Sequence, residues 1–283
     1  MNKITVLIAL LVGCLVGCSF DKSETKAAVE PQDAPVVEPE VTPVVETEVD
    51  YLSFYALCKS PDATPDQIQA FLDLGVDVNA TESESGETPL MMASNYNNRN
   101  AEVIRLLLME GADVQARGDR GVDSLCRAAV NNDNPDVISI LLDAGADVNA
   151  RNGSDGLTAL GGAAIHNNLE VILVLLDAGA DVNARDAIGL TALMGAVTNT
   201  PEVVSALLEA GADVNPQDDT GDHALLRAAL RSKNPEVILL LLKAGADVHV
   251  KDDEGGNALF YARYNEALQG TEALKALEAA MNQ

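Results

Sequence analysis

Four cysteines and three histidines are the residues of this chain best suited to do chemistry. Cys14 and Cys18 close two copies of one word, in LVGCLVGC at residues 11 to 18, while Cys58 and Cys126 stand apart. The doubled word could be core, a membrane span, a disulfide pair or the mark of a cut. His166, His223 and His249 could ligate a metal or move protons. Acid pairs such as Asp218-Asp219, and the run Asp252-Asp253-Glu254, could do general acid/base work if a pocket drove their pKa values apart. A calcium site would need a D-x-D-x-D-G loop with a distal Glu, and none is present. Neither a phosphate-cradling glycine loop nor a nucleophile motif appears. What these residues can do is set by the elements that carry them.

The LVGC pair ends an apolar run. Lys3 is the only early charge, and Ile4 to Val16 is apolar apart from Thr5, Gly13 and Cys14. A charged start followed by an apolar stretch too short to span a bilayer comfortably has the form of an export signal. The word also resembles the lipobox of bacterial lipoproteins: an aliphatic residue, a small or aliphatic one, Gly, then Cys. That resemblance implies a diacylglycerol on the thiol, cleavage just before the Cys, and acylation of the new amine. A cut before Cys18 leaves an apolar region of ordinary length, and a cut before Cys14 leaves a short one. Residues 1–17 are therefore assigned to the signal and Cys18 to the lipid. An end acylated on both thiol and amine holds a membrane firmly, whereas a single chain does so marginally. Ser19 stands where, in enteric bacteria, an Asp resembles an inner-membrane retention signal. The expected location is thus the bacterial cell envelope, with the outer membrane favoured and the following domain periplasmic or surface-exposed. Residues 18–50 hold the lipidated Cys and an acidic, Pro-rich linker whose composition cannot bury enough surface to fold. About thirty such residues reach roughly 30 Å as a coil and up to about 90 Å extended.

From residue 51 the chain repeats itself. Aligned on one glycine, the words are LGVDVNA (Gly75), EGADVQA (Gly111), AGADVNA (Gly145 and Gly179), AGADVNP (Gly211) and AGADVHV (Gly245), spaced 36, 34, 34, 32 and 34 residues apart. Such a period marks stacked repeats. Before each glycine lies an apolar run at helical spacing, as in Val137, Ile138, Leu141 and Leu142. Eleven residues before each glycine stands an N-capping type: Thr64, Asn100, Asn134, Asn168, Thr200 and Asn234. Pro65, Pro135, Pro201 and Pro235 follow four of them at the first helical position. Each glycine suits a left-handed residue just past the helix end. The spacing therefore predicts a helix of about ten residues per unit, stable only against neighbours. Upstream lies a second word, TPLMMAS, DSLCRAA, TALGGAA, TALMGAV, HALLRAA or NALFYAR, always with Leu followed three residues later by Ala. Polar turns ending in Gly86, Gly121, Gly156, Gly189, Gly221 and Gly255 precede these words. The unit reads turn, helix, helix.

Both words resemble the ankyrin repeat, with T-P-L-H-x-A-A in its first helix and L-L-x-x-G-A-D-V-N at the end of its second. Thr88-Pro89-Leu90 and Gly145 to Ala150 carry the likeness most clearly, and it spans about residues 51–283. The resemblance implies an all-α solenoid of about seven antiparallel helix pairs with projecting hairpin loops, the first and last units acting as caps. The family's His is replaced throughout, by Met91, Cys126, Gly161, Met194, Leu226 and Phe260, and Asn-rich turns stand for its Gly-His between helices. Weaker hydrogen bonding between repeats is the expected consequence. The resemblance also implies a protein partner docking on hairpin tips and on the open side of the first helix. By motif position the tip candidates include Arg120, Asp155, Leu157, Ile188, Leu190, Asp219, Thr220 and Asp253, and the helix candidates are Met92, Arg127, Arg227 and Tyr261. Leu157, Ile188 and Leu190 read as one apolar patch across adjacent tips.

In this frame the chemistry recedes. His223 falls at the Thr position of its word and His249 at the Asn position of its hairpin, so a metal cluster is not expected. Cys58 and Cys126 fall in the first helices of the first and third units, too far apart for a disulfide when stacked helices lie about 10 Å apart. No cofactor and no catalytic residue is assigned. The chain carries 44 acids against 18 basic residues, a net charge of -26, which repels phosphate backbones and disfavours nucleic acid as a partner. Aromatics are only 3%, so the core must be aliphatic. The reading is a non-enzymatic, membrane-tethered module that binds another protein. Self-association through Leu173 and Leu239, at a second-helix position expected to face solvent, is the alternative, followed by a calcium- or metal-dependent module using the acidic tips.

Overall fold

The computed structural model describes residues 50–95, 101–166 and 169–282. The signal, Cys18, most of the linker, and the cap residues Asn100 and Asn168 lie outside the described residues. Those described form seven helix pairs and no strand. The pairs are α1 (Tyr51–Cys58) with α2 (Pro65–Leu72), α3 (Pro89–Asn95) with α4 (Ala101–Met109), and α5 (Ser124–Asn131) with α6 (Pro135–Asp143). They continue with α7 (Ala159–His166) and α8 (Leu169–Asp177), α9 (Ala192–Ala196) and α10 (Pro201–Glu209), α11 (Ala224–Arg231) and α12 (Pro235–Lys243). The last pair is α13 (Ala258–Ala262) with α14 (Glu272–Met281). Each first helix packs on the next first helix and each second helix on the next second helix, which gives two layers.

Every boundary has a local cause. Thr64 caps α2 in a reciprocal box with Gln67, and Asn134 and Asn234 accept the N–H of Asp136 and Glu236. Thr200 has the extended cap conformation, but its hydroxyl makes no cap bond. It bonds the Glu202 carboxyl instead, which helps hold that group below its usual range. The second helices run eight to ten residues. All but α14 end on glycines with φ between 86° and 93°, a backbone that side chains disfavour. After Gly145 the chain closes a Schellman motif, Gly145 N donating to Leu142 O at 2.9 Å and Ala146 N to Leu141 O at 3.0 Å. In α6 Val137, Ile138 and Leu141 are fully buried, Ile140 joins them, and Leu142 is only half-buried.

The first word starts each first helix by a cap that varies in type but not in role. Thr88, Asp123, Thr158, Thr191, His223 and Asn257 each accept the backbone N–H three residues on, at 2.8 to 3.3 Å. The Leu and Ala of the word are buried in every unit but the last, where Leu259 is half-buried. Phe54 in α1 and Phe71 in α2 face each other at 5.6 Å and close the N-terminal end.

The expectation of weak hydrogen bonding between repeats does not hold. The Asn of the D-V-N word supplies one ladder: Asn149 Nδ2 donates to Gly179 O at 3.1 Å, and Asp181 N donates back to Asn149 Oδ1 at 2.7 Å. Asn79, Asn183 and Asn215 do the same to the next unit. Arginines supply a second ladder, Arg117 to Arg151 O at 2.7 Å, Arg151 to Arg185 O, and Arg185 to Gln217 O at 2.6 Å. Hairpins bond through their backbones as well, as from Gly153 N to Gly121 O at 3.0 Å and Ala187 N to Asp155 O at 2.7 Å. The Asn-rich turns add side-chain bonds such as Asn199 Nδ2 to Ala164 O at 3.2 Å. The absent family His is replaced many times over.

Candidate functional site

Three hairpins are shaped by one carboxylate each. Asp186 Oδ1 accepts from Ile188 N and Leu190 N at 3.0 and 2.8 Å. Asp218 Oδ1 accepts from Thr220 N, Thr220 Oγ1 and Asp222 N between 2.7 and 3.0 Å. Asp252 Oδ1 accepts from Glu254 N and Gly256 N at 3.0 and 2.9 Å. These acids organise turns. Asp222 is the one tip carboxyl pushed upward, by burial and then by the negative charge of Asp218 beside it, with Arg227 opposing.

The fourth residue after each first-helix cap decides how the hairpin meets the helix. Down the stack this column reads Met92, Arg127, Gly162, Gly195, Arg227 and Tyr261. Arg227 Nη1 donates to Asp218 Oδ2 at 3.0 Å and lies 3.6 Å from Asp222. The Tyr261 hydroxyl donates to Asp252 Oδ2 at 2.6 Å, a bond that pushes the phenol up to about 12. Arg127 pairs with Glu87 of the preceding hairpin at 2.8 Å. These three side chains are braces, their polar ends committed within the chain. Met92 is no surface residue at all: it is fully buried in the core.

At the two central positions the brace is missing. A Cβ on Gly162 would stand 2.6 Å from Val130 Cγ2, and one on Gly195 would stand 2.8 Å from Ile165 Cγ1. The branched side chain of the preceding first helix lies over each glycine, which only a residue without Cβ permits. Two openings lie between hairpins and first helices, and of these two glycines Gly195 lines one of them. One is a groove of about 770 Å³ walled by Glu87, Asp119, Arg120, Arg127, Val130, Asp155 and Leu157 among others. The other is a notch of about 190 Å³ over Gly195, walled by Ile165, Leu190, Met194, Val197, Arg227 and Arg231 among others.

Of the tip residues read from the sequence, Arg120, Asp155, Asp219, Thr220 and Asp253 are exposed. Ile188 is 59% exposed, but Leu157 and Leu190 are half-buried, so the three do not form one open apolar patch. Leu157 instead turns into the groove and Leu190 into the notch. Gly195, Ile165, Met194 and Arg231 were not picked out by sequence reasoning. Their signal was the aligned column between the Leu and Ala of the first word, where two glycines stand together in mid-stack.

The other chemical candidates are structural. Cys58 and Cys126 are free and buried, and burial pushes both thiols up to about 12, far from a reactive thiolate. His223 is a buried cap, His249 donates its backbone N–H to Asp247 Oδ1 within its turn, and His166 ends α7. Among the described residues no group of three or more His, Cys, Asp or Glu could hold a metal, and no helix is long and apolar enough to cross a membrane.

Comparison with known proteins agrees with this geometry. The family described as ankyrin repeats (3 copies) matches residues 54–152 and 125–218, and the single ankyrin repeat matches residues 220–253. SH3 and multiple ankyrin repeat domains protein 1 of Homo sapiens is 41% identical over 66 residues, and those of Mus musculus and Rattus norvegicus match equally. That stretch is 23% of this chain and 3% of each relative, so the likeness is to a few repeats and not to a whole protein. Helix pairs, hairpins, the Gly-Ala-Asp word and the family match converge: the chain belongs to the ankyrin repeat family, whose arrays are protein–protein interaction modules.

Proposed function

We propose that this chain is a lipid-anchored ankyrin module of the bacterial cell envelope, outer membrane favoured, that captures another protein between its hairpins and first helices and performs no catalysis itself. The observation that carries the binding reading is the pair of openings between hairpins and first helices, the larger walled by Arg127, Val130 and Leu157 and the smaller lying over Gly195. The envelope location rests on the LVGC word and the apolar run before it. In-cell crosslinking from positions 120 and 155 is expected to trap one specific envelope protein. Leu157→Asp combined with Ile188→Asp is expected to abolish capture with helicity unchanged; capture at the wild-type level by that variant moves the site off this surface. Labelled fatty acid is expected to enter the wild type and be lost in Cys18→Ala, whereas loss only in Cys14→Ala shifts the anchor to the first copy.

Leu173 and Leu239, 43% and 39% exposed on the second-helix face, support self-association as a second reading. It requires concentration-dependent oligomers that dissolve in Leu173→Lys.

A further inference from the structure

We propose that the notch over Gly195 is a socket for one bulky apolar side chain of the protein partner, and that the partner carries carboxylates on either side of that residue. The inference rests on the binding reading above and specifies the partner's chemistry. Size comes first. A cavity of about 150 Å³ holds a benzene ring, so a notch of about 190 Å³ has room for one phenyl or branched aliphatic group. Its lining of Ile165, Leu190, Met194 and Val197 is apolar, and the methionine adapts to the shape it receives.

Charge comes second. The charged residues on the wall are Arg227 and Arg231, with no acid among the lining. Arg227 is held by Asp218 and Asp222, yet its Nε is buried without a hydrogen-bond partner. Arg231 is exposed and has no ion pair among the described residues. On a chain of net charge -26, Arg231 sets an exposed cation beside an apolar hole. A carboxylate next to the inserted residue meets the exposed Arg231 guanidinium, and a lysine there is repelled. The neighbouring 770 Å³ groove makes no such choice, because Glu87, Asp119 and Asp155 offset Arg120 and Arg127.

The test uses the full chain with labelled Met and Ile methyls and three blocked pentapeptides: Glu-Glu-Phe-Glu-Glu, Lys-Lys-Phe-Lys-Lys and Glu-Glu-Ala-Glu-Glu. The acid-flanked Phe peptide is expected to shift the Met194 and Ile165 methyls and to bind at least about tenfold tighter than either other peptide. Arg231→Glu, an exposed change that leaves the core alone, is expected to weaken it by about tenfold at an unchanged melting temperature. Equal binding of the basic peptide, or Arg231→Glu without effect, overturns the carboxylate preference. Methyls of Met194 and Ile165 that respond to none of the peptides overturn the socket. If they stay silent while crosslinking still traps a partner, the inference falls and the binding function stands. Methyls that respond where crosslinking traps nothing uphold the socket and remove the envelope partner.

Discussion

The sixth unit and the fifth share a skeleton and differ in how the hairpin is fastened. In the sixth, Arg227 ties the first helix to Asp218, whose side chain is only 3% exposed, and the hairpin is locked down. In the fifth, Asp186 shapes the same turn, but Gly195 stands where the arginine would be, Ile165 leans over it, and a notch opens. The Leu, Ala and Gly positions that make the fold are the same in both. One column, read across the repeats, decides where the array is closed and where it can receive something. Architecture and recognition are written in different residues of the same short word.

Breaking the brace is the largest test of this contrast. Arg227→Ala leaves the Asp218 carboxylate buried with its backbone donors but no cation. The expected loss is about 2 kcal/mol, short of the roughly 3–5 kcal/mol for one partner of a fully buried pair, since Arg227 keeps some exposure and other donors remain. Urea unfolding measures the loss, and hydrogen exchange at residues 218–226 should show it concentrated there. Closing the notch is the next largest. Gly195→Ala gains up to about 1 kcal/mol in helix propensity, but the added carbon meets Ile165 at 2.8 Å. Overpacking of that kind costs about 1–3 kcal/mol. The net expectation is a loss of about 1 kcal/mol together with loss of peptide binding at the notch. A variant of unchanged stability that still binds would show that Ile165 swings away freely and that glycine is not what opens the site.

The fold was legible in the sequence because its determinants are local and recur. Capping residues, prolines at the first helical position and left-handed glycines announce each helix without help from neighbours. The bonds between repeats were not legible, because Asn149 and Arg151 read as hairpin surface until the next unit is placed 34 residues on and its carbonyls come within reach. The site was legible by position but not by state. Arg127, Arg227 and Tyr261 were found where a partner could touch them, yet whether their polar ends are free depends on the register of a hairpin acid nine residues or more away. Leu157 and Leu190 were read as exposed tips; that they wall the groove and the notch shows only once neighbouring units are stacked.

Acid provides a subtler way to separate the two units. Thr191 caps the fifth unit's first helix with a hydroxyl that does not titrate, whereas His223 caps the sixth with Nδ1, which accepts from Leu226 N at 3.1 Å only while unprotonated. Burial, foremost, holds the imidazole below its ordinary range, although the backbone and charge of Asp247 and the charge of Asp222 pull the other way. A folded-state pKa below the unfolded one means that the unfolded chain binds the proton first. The contribution is therefore complete above about pH 6.5 and is lost as the pH falls through the lower folded value. His223→Thr should remove that part of the pH dependence, worth at most about 1 kcal/mol, the value of an N-cap. Parallel stability profiles of wild type and variant from pH 7.5 to 5 would show that the cap does not titrate.

The smallest expected effect lies in the Asn ladder, where the chain contains its own control. Gln115 stands where Asn79, Asn149, Asn183 and Asn215 stand in other units. Its longer side chain still donates to Gly145 O, at 2.5 Å, but the return bond from the next Asp, made to Asn79, Asn149, Asn183 and Asn215, has no counterpart from Asp147 among the described residues. Shortening the side chain by one methylene should let Asp147 N close the pair. Because the bond is exposed and water competes for it, Gln115→Asn is expected to add only about 0.5 kcal/mol. The gain should appear as a higher urea midpoint and slower exchange at Asp147, while the groove beside Leu157 and the notch over Gly195 keep their binding. If the gain instead weakened binding there, the ladder and the openings would be coupled, and the separation of skeleton from recognition drawn from the fifth and sixth units would fail.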